Sequence, residues 1–574
     1  MDWKISKQPE TEILKELQSN LNIPEFICTL LLQRNIDSLE SAQKYFRPNL
    51  NELHDPFLMK DMDRTVDRLI QAIDSSEKIM ILGDYDVDGT TSVSMLYDYF
   101  IKKTLEPIYY IPDRYKEGYG VSEESIAFAA DQKVSLIITI DCGIKANDEI
   151  EAANTKGIDV IICDHHIPDD SIPKAYSIIN PNQKNCDYPF KGLCGCGIGF
   201  KLISAIEKKS GGSEETNQYL DLVAIATIAD QMPMINENRT IVHHGLKELN
   251  NNPRPGFHFF IRSINRNIVE SDISFNIGPR INASGRMKSG MISVKLMTEN
   301  DTNAAYKIAQ EIESINLLRR SKEKEVTEEA IKKADPLKFT NVVYGNNWNK
   351  GVLGIVASRL VDKFYKPTIV LTLEDKLYTG SARSISNFDI YDAIQSGKEY
   401  LDQYGGHKYA AGLSIKEENL KGFIDHFESY VKDAMDNKMF TKTIGYDTEI
   451  ELSDINESNF KILSRMSPFG LSNYRPIFRT NNCCGTGNLR LIGKEKNHIK
   501  FEVSDSEDNK IAFGIMLDYL KRYIVEMDEG ENKSHDIPVK ISDINNLNDL
   551  VRILREDRLY ITGLNYREDH PDDR

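Results

Sequence analysis

Three short apolar runs stand out in the first third of the chain: KIMILG (78–83), SLIITI (135–140) and DVIIC (159–163). They are continuously apolar rather than alternating, and helix-like segments separate them. Such runs read as strands buried on both faces of a parallel sheet. Alternation of strand-like and helix-like segments from about 78 to 240 predicts a doubly wound α/β domain, continued by mostly helical sequence and bounded here at 76–310. Residues 1–75 read as an N-terminal helical segment. Residues 311–335 are highly charged with scattered apolar positions and read as a connecting helix. The strand-like NVVYG and PTIVLTL, with helix-like GIVASRLVDKF between them, predict a second, smaller α/β domain over 336–439. Short β-like runs (PIFRT, LRLIG, HIKFEV, KIAFGIM, PVKISDI) predict an OB-like β-barrel with a C-terminal extension over 440–574. EMDEGENKSHD (526–536) reads as an exposed loop and the terminal REDHPDDR as a frayed tail.

The polar residues that end the apolar runs carry the candidate chemistry. Asp84, Asp86 and Asp88 follow the first run, and their alternate spacing puts all three on one side if the backbone stays extended. A calcium-binding EF-hand loop also opens D-x-D-x-D-G, but its twelfth position here is Met95 instead of Glu, and a strand precedes it. Asp141-Cys142-Gly143 ends the second run and Asp164-His165-His166 the third, while Asp230 ends the apolar helix-like LDLVAIATIAD. The carboxyl edge of an open α/β sheet is where ligands bind. Several Asp and a His gathered there predict a dinuclear site suited to Mn²⁺ or Mg²⁺. Two further clusters supply cations and small residues. Arg280 and Arg286 flank a Gly-rich turn suited to clamping phosphate. Gly405-Gly406-His407 suggests a backbone nest for phosphate with His407 as donor, and Gly380–Ser384 offers similar anion-binding groups.

Composition limits what these clusters can be part of. Lys and Arg total 71 against 88 Asp and Glu, a net charge of −17 over 574 residues. That balance argues against non-specific binding to nucleic acid or anionic membrane, yet leaves room for a local basic channel, expected between the first two domains. No apolar stretch approaches the roughly 20 residues that span a bilayer, and the N-terminus lacks a charged-then-apolar signal pattern. A soluble, cytoplasmic protein is the expectation. The eight cysteines show no zinc-site spacing and read as structural thiols.

GDYDVDG, IDCG, CDHH and the later IAD resemble, in order, the motifs of the DHH phosphoesterases, and GGHKYAAG resembles the signature of their DHH-associated domain. GPRINASGRM, GVLGIVASRL followed by KPTIVL, and SPFGLSNYRPIF narrow the resemblance to the RecJ-type single-strand-specific 5′→3′ exonucleases over about residues 50–515. The resemblance implies that Asp84, Asp86, Asp88, Asp141, His165 and Asp230 hold or border two metal ions, with Asp141 between them. It implies that Asp164 supports the imidazole and that His166 contacts the scissile phosphate. Arg280, Asn282, Arg286 and His407, with Gly405 and Gly406, would grip the DNA backbone. Arg114, Ser381 and Arg383 would receive a 5′-terminal phosphate. Degradation of single-stranded DNA to mononucleotides in recombination and repair, beside a helicase and a single-strand-binding protein, is the implied role. A phosphodiesterase of short oligonucleotides or cyclic dinucleotides and a non-catalytic replisome scaffold are the alternatives. The chain departs from the family pattern at Trp348-Asn349, where Trp-His is usual, at Gln231-Met232-Pro233, and at Gly470-Leu471-Ser472-Asn473-Tyr474.

Overall fold

In a computed structural model, residues 2–516 are described except 104, 213–215, 263, 265, 387, 436–442, 482–483, 493–497 and 506–509, together with 562–564. The chain forms two compact units: 49–440, and a second made of 1–48 with 441 onward.

The larger unit is built on two sheets. The first contains β1 (Ile79–Gly83), β2 (Ile108–Tyr110), β3 (Leu136–Ile140), β4 (Asp159–Cys163) and β5 (Ser177–Ile179), all parallel, in the order β2-β1-β3-β4-β5. The three apolar runs are β1, β3 and β4, and they lie side by side at the centre. Their side chains alternate between two cores. Ile79, Ile81, Ile138, Ile140 and Ile161 enter one, and Met80, Leu82, Ile137, Val160 and Ile162 enter the other. Burial on both faces explains why these runs are continuously apolar. The strand order reverses between β1 and β3, which makes the carboxyl ends of those two strands the topological switch point.

The first face is covered by α1 (Met62–Asp74), α2 (Val87–Lys102), α3 (Gly195–Ser210) and α4 (Leu220–Ala229). The predicted 1–75 segment is therefore divided. Met62, Val66, Leu69 and Ala72 of α1 belong to the main core, and Arg68 pairs with Asp159 at 2.8 Å and with Glu77 at 2.8 Å. Its apolar face commits α1 to the sheet, whereas 1–48 fold with the C-terminal part. Next come α5 (Gly278–Met287) and the 32-residue α6 (Thr302–Lys333). The connecting helix starts at Thr302 rather than near 311, because Asp301 caps it by accepting the Ala304 N–H at 2.7 Å.

The second sheet comprises β6 (Asn341–Asn346), β7 (Thr368–Glu374), β8 (Leu377–Arg383), β9 (Gln403–His407) and β10 (Ala410–Lys416), in the order β9-β10-β8-β7-β6. Only β6 and β7 are parallel to each other, and α7 (Lys350–Phe364) links them. Asn349, which replaces the usual His, is the N-cap of α7 and accepts the Gly351 N–H at 2.9 Å.

In the smaller unit, Asp2–Ile5 pairs in parallel with Thr443–Tyr446. Leu17, Ile27, Leu30 and Leu31 from the N-terminal helices share one core with Ile450, Leu452, Met466, Phe478 and Val503. Cys484–Ile492, His498–Ser504 and Lys510–Met516 form an antiparallel three-stranded sheet, matching three of the predicted β runs. The fold is mixed α/β with an OB-like C-terminal domain. PVKISDI, the 526–536 loop and the terminal tail lie outside the described residues.

Candidate metal centre and phosphate pocket

The carboxyl ends of β1, β3 and β4 assemble the centre from backbone features that hold each acid in place. After β1 the chain leaves the extended conformation sooner than the D-x-D-x-D spacing predicts. Asp86 is the N-cap of α2, accepting the Gly89 N–H at 3.1 Å, so Asp88 already sits in the first helical turn. Gly89 is required there, because a Cβ would lie 2.5 Å or less from the backbone N and O of Asp84. Asp88 is buried, and its two oxygens accept the Gly195 N–H at 2.6 Å and the Cys196 N–H at 2.8 Å. The N-terminus of α3 thus fixes its carboxylate.

Asp141, after β3, has φ of 61°, a left-handed conformation that Asp adopts more readily than most residues. Gly195 lets α3 approach, since a Cβ there would come within 2.5 Å of the Asp141 Cβ. After β4, His165 Nε2 lies 3.1 Å from Asp141 Oδ1, 3.8 Å from Asp230 Oδ2 and 3.9 Å from Asp88 Oδ2. Burial holds the His165 imidazole below its usual pKa, in the neutral form that ligates metals. Asp230 closes α4 and brings the fourth motif to the same place.

The electrostatics are those of a site built for cations. Burial, then Asp88 and the other acids, holds Asp141 well above the carboxylate range. Burial and then Asp86 do the same to Asp84. Burial followed by Asp88 and Asp86 pushes Asp230 up to about 8. Asp84 Oδ1 is buried and has no hydrogen-bond partner, a costly state that a ligated cation would relieve. Ligand atoms of Asp141, His165 and His166, and separately of Asp88, His165 and Asp230, lie within 4.8 Å of one another. Carboxylate oxygens with one or two imidazoles suit Mn²⁺ or Mg²⁺.

Asp164 supports His166 rather than His165. Its Oδ1 meets His166 Nδ1 at 2.7 Å and the His166 N–H at 3.1 Å, and its Oδ2 accepts the Ile144 N–H at 3.0 Å. Burial alone would raise the Asp164 pKa, but the imidazole and these N–H groups bring it below the usual range. For His166, burial acts downward and pairing with Asp164 prevails, leaving its pKa raised. Tyr119 Oη stands 3.2 Å from His166 Nε2 and donates to the Asp141 carbonyl at 2.8 Å.

Beside the acids lies a cluster of arginines. Arg114 stacks over Tyr85 at 4.9 Å. Arg383 donates to Ser381 Oγ at 2.9 Å and to the Ala382 carbonyl at 2.7 Å, and lies against Gly354 of α7. Burial, then Arg114, together with Arg319 and Arg383, lowers the Arg286 pKa to about 10 against the pull of Asp86. Among the described residues, Arg114, Arg286 and Arg383 form no ion pair with a carboxylate. Half-buried like charges crowded in this way make a receptor for an anion, and a phosphate matches the guanidinium geometry. Tyr115 Oη donates to the Arg286 carbonyl, and Gly351 of α7 leaves room for both.

Two sequence expectations change. The Gly278–Arg286 segment is a helix, not a turn. Arg280 on it pairs with Glu313 at 2.5 Å and donates to the Asn276 carbonyl at 2.8 Å. Asn282, half-buried, lies on the same helix. Gly405-Gly406-His407 forms no nest: it pairs along Ala410–Gly412 as an antiparallel ladder, with His407 exposed at its end. As the edge strand of its sheet, this run has an extended backbone whose ladder engages only the groups facing Ala410–Gly412. Sequence reasoning also missed Tyr85, Tyr115, Tyr119 and the Gly195–Cys196 amides. It missed Asn180 and Asn182 as well, whose side chains donate to the carbonyls of His166 at 2.8 Å and His165 at 2.7 Å. The glycine-rich GLCGCGIGF was the available signal for a close helix approach.

Three family models match the chain: the DHH family N-terminal domain at 78–227, the DHHA1 domain at 337–433 and the RecJ OB domain at 446–527. The single-stranded-DNA-specific exonuclease RecJ of Bacillus subtilis is 36% identical over 92% of this chain and 67% of its own length. That of Haemophilus influenzae is 30% identical over 84% of this chain and 87% of its own. Among solved structures, RecJ of Thermus thermophilus in complex with Mn²⁺ shares the fold, with a TM-score of 0.78, 21% identity and coverage of 99% of this chain and 80% of that one. An exonuclease RecJ bound to manganese is 28% identical with a TM-score of 0.59, covering 65% of this chain and 95% of that one. With its acids, imidazoles and arginines arranged as described, the chain belongs to the RecJ family of DHH proteins.

Proposed function

We propose that this protein is a metal-dependent exonuclease that degrades single-stranded DNA from its 5′ end to mononucleotides. The observation that carries the reading is the junction of two unlike sites within one unit. Five aspartates and His165 gather at the sheet's switch point, and an arginine cluster lies directly beside Asp86. Asp84, Asp86, Asp88, Asp141, His165 and Asp230 would hold two Mn²⁺ or Mg²⁺ ions. When bound, such ions lower the pKa of water and neutralise charge on a phosphoryl group.

The chain's own residues supply the rest. Arg114, Arg286, Arg383 and Ser381 receive the terminal 5′ phosphate and so set how far the strand enters. Because the Asp164 carboxylate can only accept, His166 Nδ1 carries the bonded proton and Nε2 faces outward beside Tyr119. The raised His166 pKa favours a proton on Nε2 as well, ready for donation to a phosphate oxygen. An end pocket adjoining the acids explains release one nucleotide at a time. The OB-like domain would hold the strand by stacking and charge. Partner single-strand-binding protein and helicase, action in recombination and repair, and a cytoplasmic setting are proposed from the family resemblance. The buried free thiols Cys28, Cys142, Cys163, Cys186, Cys194 and Cys196 accord with a reducing compartment.

The test is digestion of single-stranded DNA labelled at its 3′ end, with Mn²⁺, Mg²⁺ or EDTA. Metal-dependent progressive shortening, absent on blunt duplex and absent in Asp141→Asn, is expected. The Asn side chain tolerates the left-handed backbone at 141 while removing the charge. Immediate release of the labelled nucleotide would reverse the polarity, and cleavage by Asp141→Asn at the wild-type rate would overturn the site.

A further inference from the structure

Phe275 is 83% exposed although it sits between Ile273 and Ile277, both fully buried in the main core. The reason is local. Pro279 follows four residues later, so it cannot donate the helical N–H to the Phe275 carbonyl, and its ring crowds that carbonyl. The helix opens into a wider π-helical turn over Ile273–Ile277 before continuing as α5. Arg280 locks this turn: its guanidinium donates to the Asn276 carbonyl at 2.8 Å and to the Asn276 side chain, while Glu313 of α6 holds its other edge at 2.5 Å. A half-buried clamp is thus spent on a segment whose outward product is one exposed aromatic ring.

The place of that ring relative to the chemistry follows from α5. At its start, a Cβ on Gly278 would lie 3.7 Å from the Ala229 Cβ, and Ala229 immediately precedes Asp230. Toward its end, a Cβ on Gly285 would lie 2.3 Å from the Tyr85 carbonyl oxygen, and Arg286 enters the arginine cluster. The helix therefore runs alongside the acids from the Asp230 side to the phosphate pocket. At 1.5 Å per residue, Phe275 and Arg286 are about 16 Å apart along its axis. That is roughly four to five stacked nucleotides at 3.4 Å each.

We propose that Phe275 is the stacking platform for a base several nucleotides from the 5′ end of the strand, on the 3′ side of the scissile bond. The inference rests on the exonuclease reading above and assigns that site a second point of purchase on its substrate. Any base presents a π face, so the contact is independent of sequence, and it fixes strand direction together with the arginine pocket.

The experiment measures kcat/KM with Mn²⁺ on 5′-phosphorylated oligodeoxythymidylates carrying one abasic site, moved a nucleotide at a time from the 5′ end. In the wild-type enzyme one internal position should lower kcat/KM about tenfold. In Phe275→Ala kcat/KM should fall about tenfold on every substrate except the one with its abasic site at that position, so that the dip vanishes. Phe275→Trp should keep the dip. As the side chain is exposed, the variants should melt with the wild type. A Phe275→Ala profile identical to wild type, or a flat wild-type profile, would overturn the platform while leaving the exonuclease reading intact. Failure of the wild-type enzyme to cleave any oligomer would overturn both.

Discussion

Asp230 shows what a crowd of carboxylates does to one of its members. Burial and the charges of Asp88 and Asp86 push its pKa up to about 8, from an ordinary 3.8. Protons therefore occupy the metal-free site at neutral pH and must leave when a divalent cation enters. Calorimetric titration with Mn²⁺ at pH 7, in buffers of different ionisation enthalpy, should show heats that differ by buffer, and the difference should fade above about pH 8. Identical heats would contradict the crowded-acid picture. The stability effect has a definite sign. A carboxylate with a raised folded pKa favours the fold fully below 3.8 and loses that contribution as pH rises through about 8. The metal-free protein should thus melt progressively lower across that window, and Mn²⁺ should restore the loss. Each of these acids could be picked out from its motif. Their shared environment could not, because Asp88 and Asp230 are separated by most of the domain in sequence.

At the scale of elements, helix ends decide the geometry. The D-x-D-x-D-G spacing suggested three acids along an extended strand, but Asp86 starts α2, and Asp88 is held by the amides that begin α3. That arrangement makes Gly195 critical. Gly195→Ala would set a Cβ 2.5 Å from the Asp141 Cβ, where overpacking costs about 1–3 kcal/mol or displaces the acid. Mn²⁺ affinity, measured by calorimetry, should fall roughly 10- to 100-fold, as for other losses of ligand support. Wild-type affinity in this variant would show that α3 does not position the acids. The same scale changes two details of the sequence reading. Arg280 and the Gly405–His407 run looked like phosphate groups in isolation. An acid on α6 pairs with the first, and the second runs as an extended edge strand rather than a curved nest.

The whole molecule joins segments that are far apart in the chain. Residues 1–48 complete the core of the unit that contains the OB-like domain, with Leu17, Ile27, Leu30 and Leu31 as their main contribution. At about 1.5–3 kcal/mol for each fully buried aliphatic side chain, that core should not survive their removal. Deletion of 1–48 should abolish the calorimetric transition of this unit and expose the chain beyond 440 to protease. The transition of 49–440, which contains every metal-site residue, should remain. Two wild-type-like transitions in the deleted protein would refute the shared core. The net charge of −17 is also resolved at this scale, because a few arginines brought together locally create the basic pocket that the average conceals.

By itself, the sequence determined the central parallel strands, the acids and imidazoles at their ends, the OB-like β runs and the family. These are encoded locally: a fully buried strand must be continuously apolar, and metal chemistry demands particular side chains next to it. Only the tertiary structure decided which imidazole Asp164 supports, that Arg280 is a structural clamp, that Arg114, Arg286, Arg319 and Arg383 converge, and that the N-terminal helices belong with the C-terminal strands. Each of these depends on partners remote in sequence. What a charged or polar side chain does is set by the group that folding brings to face it.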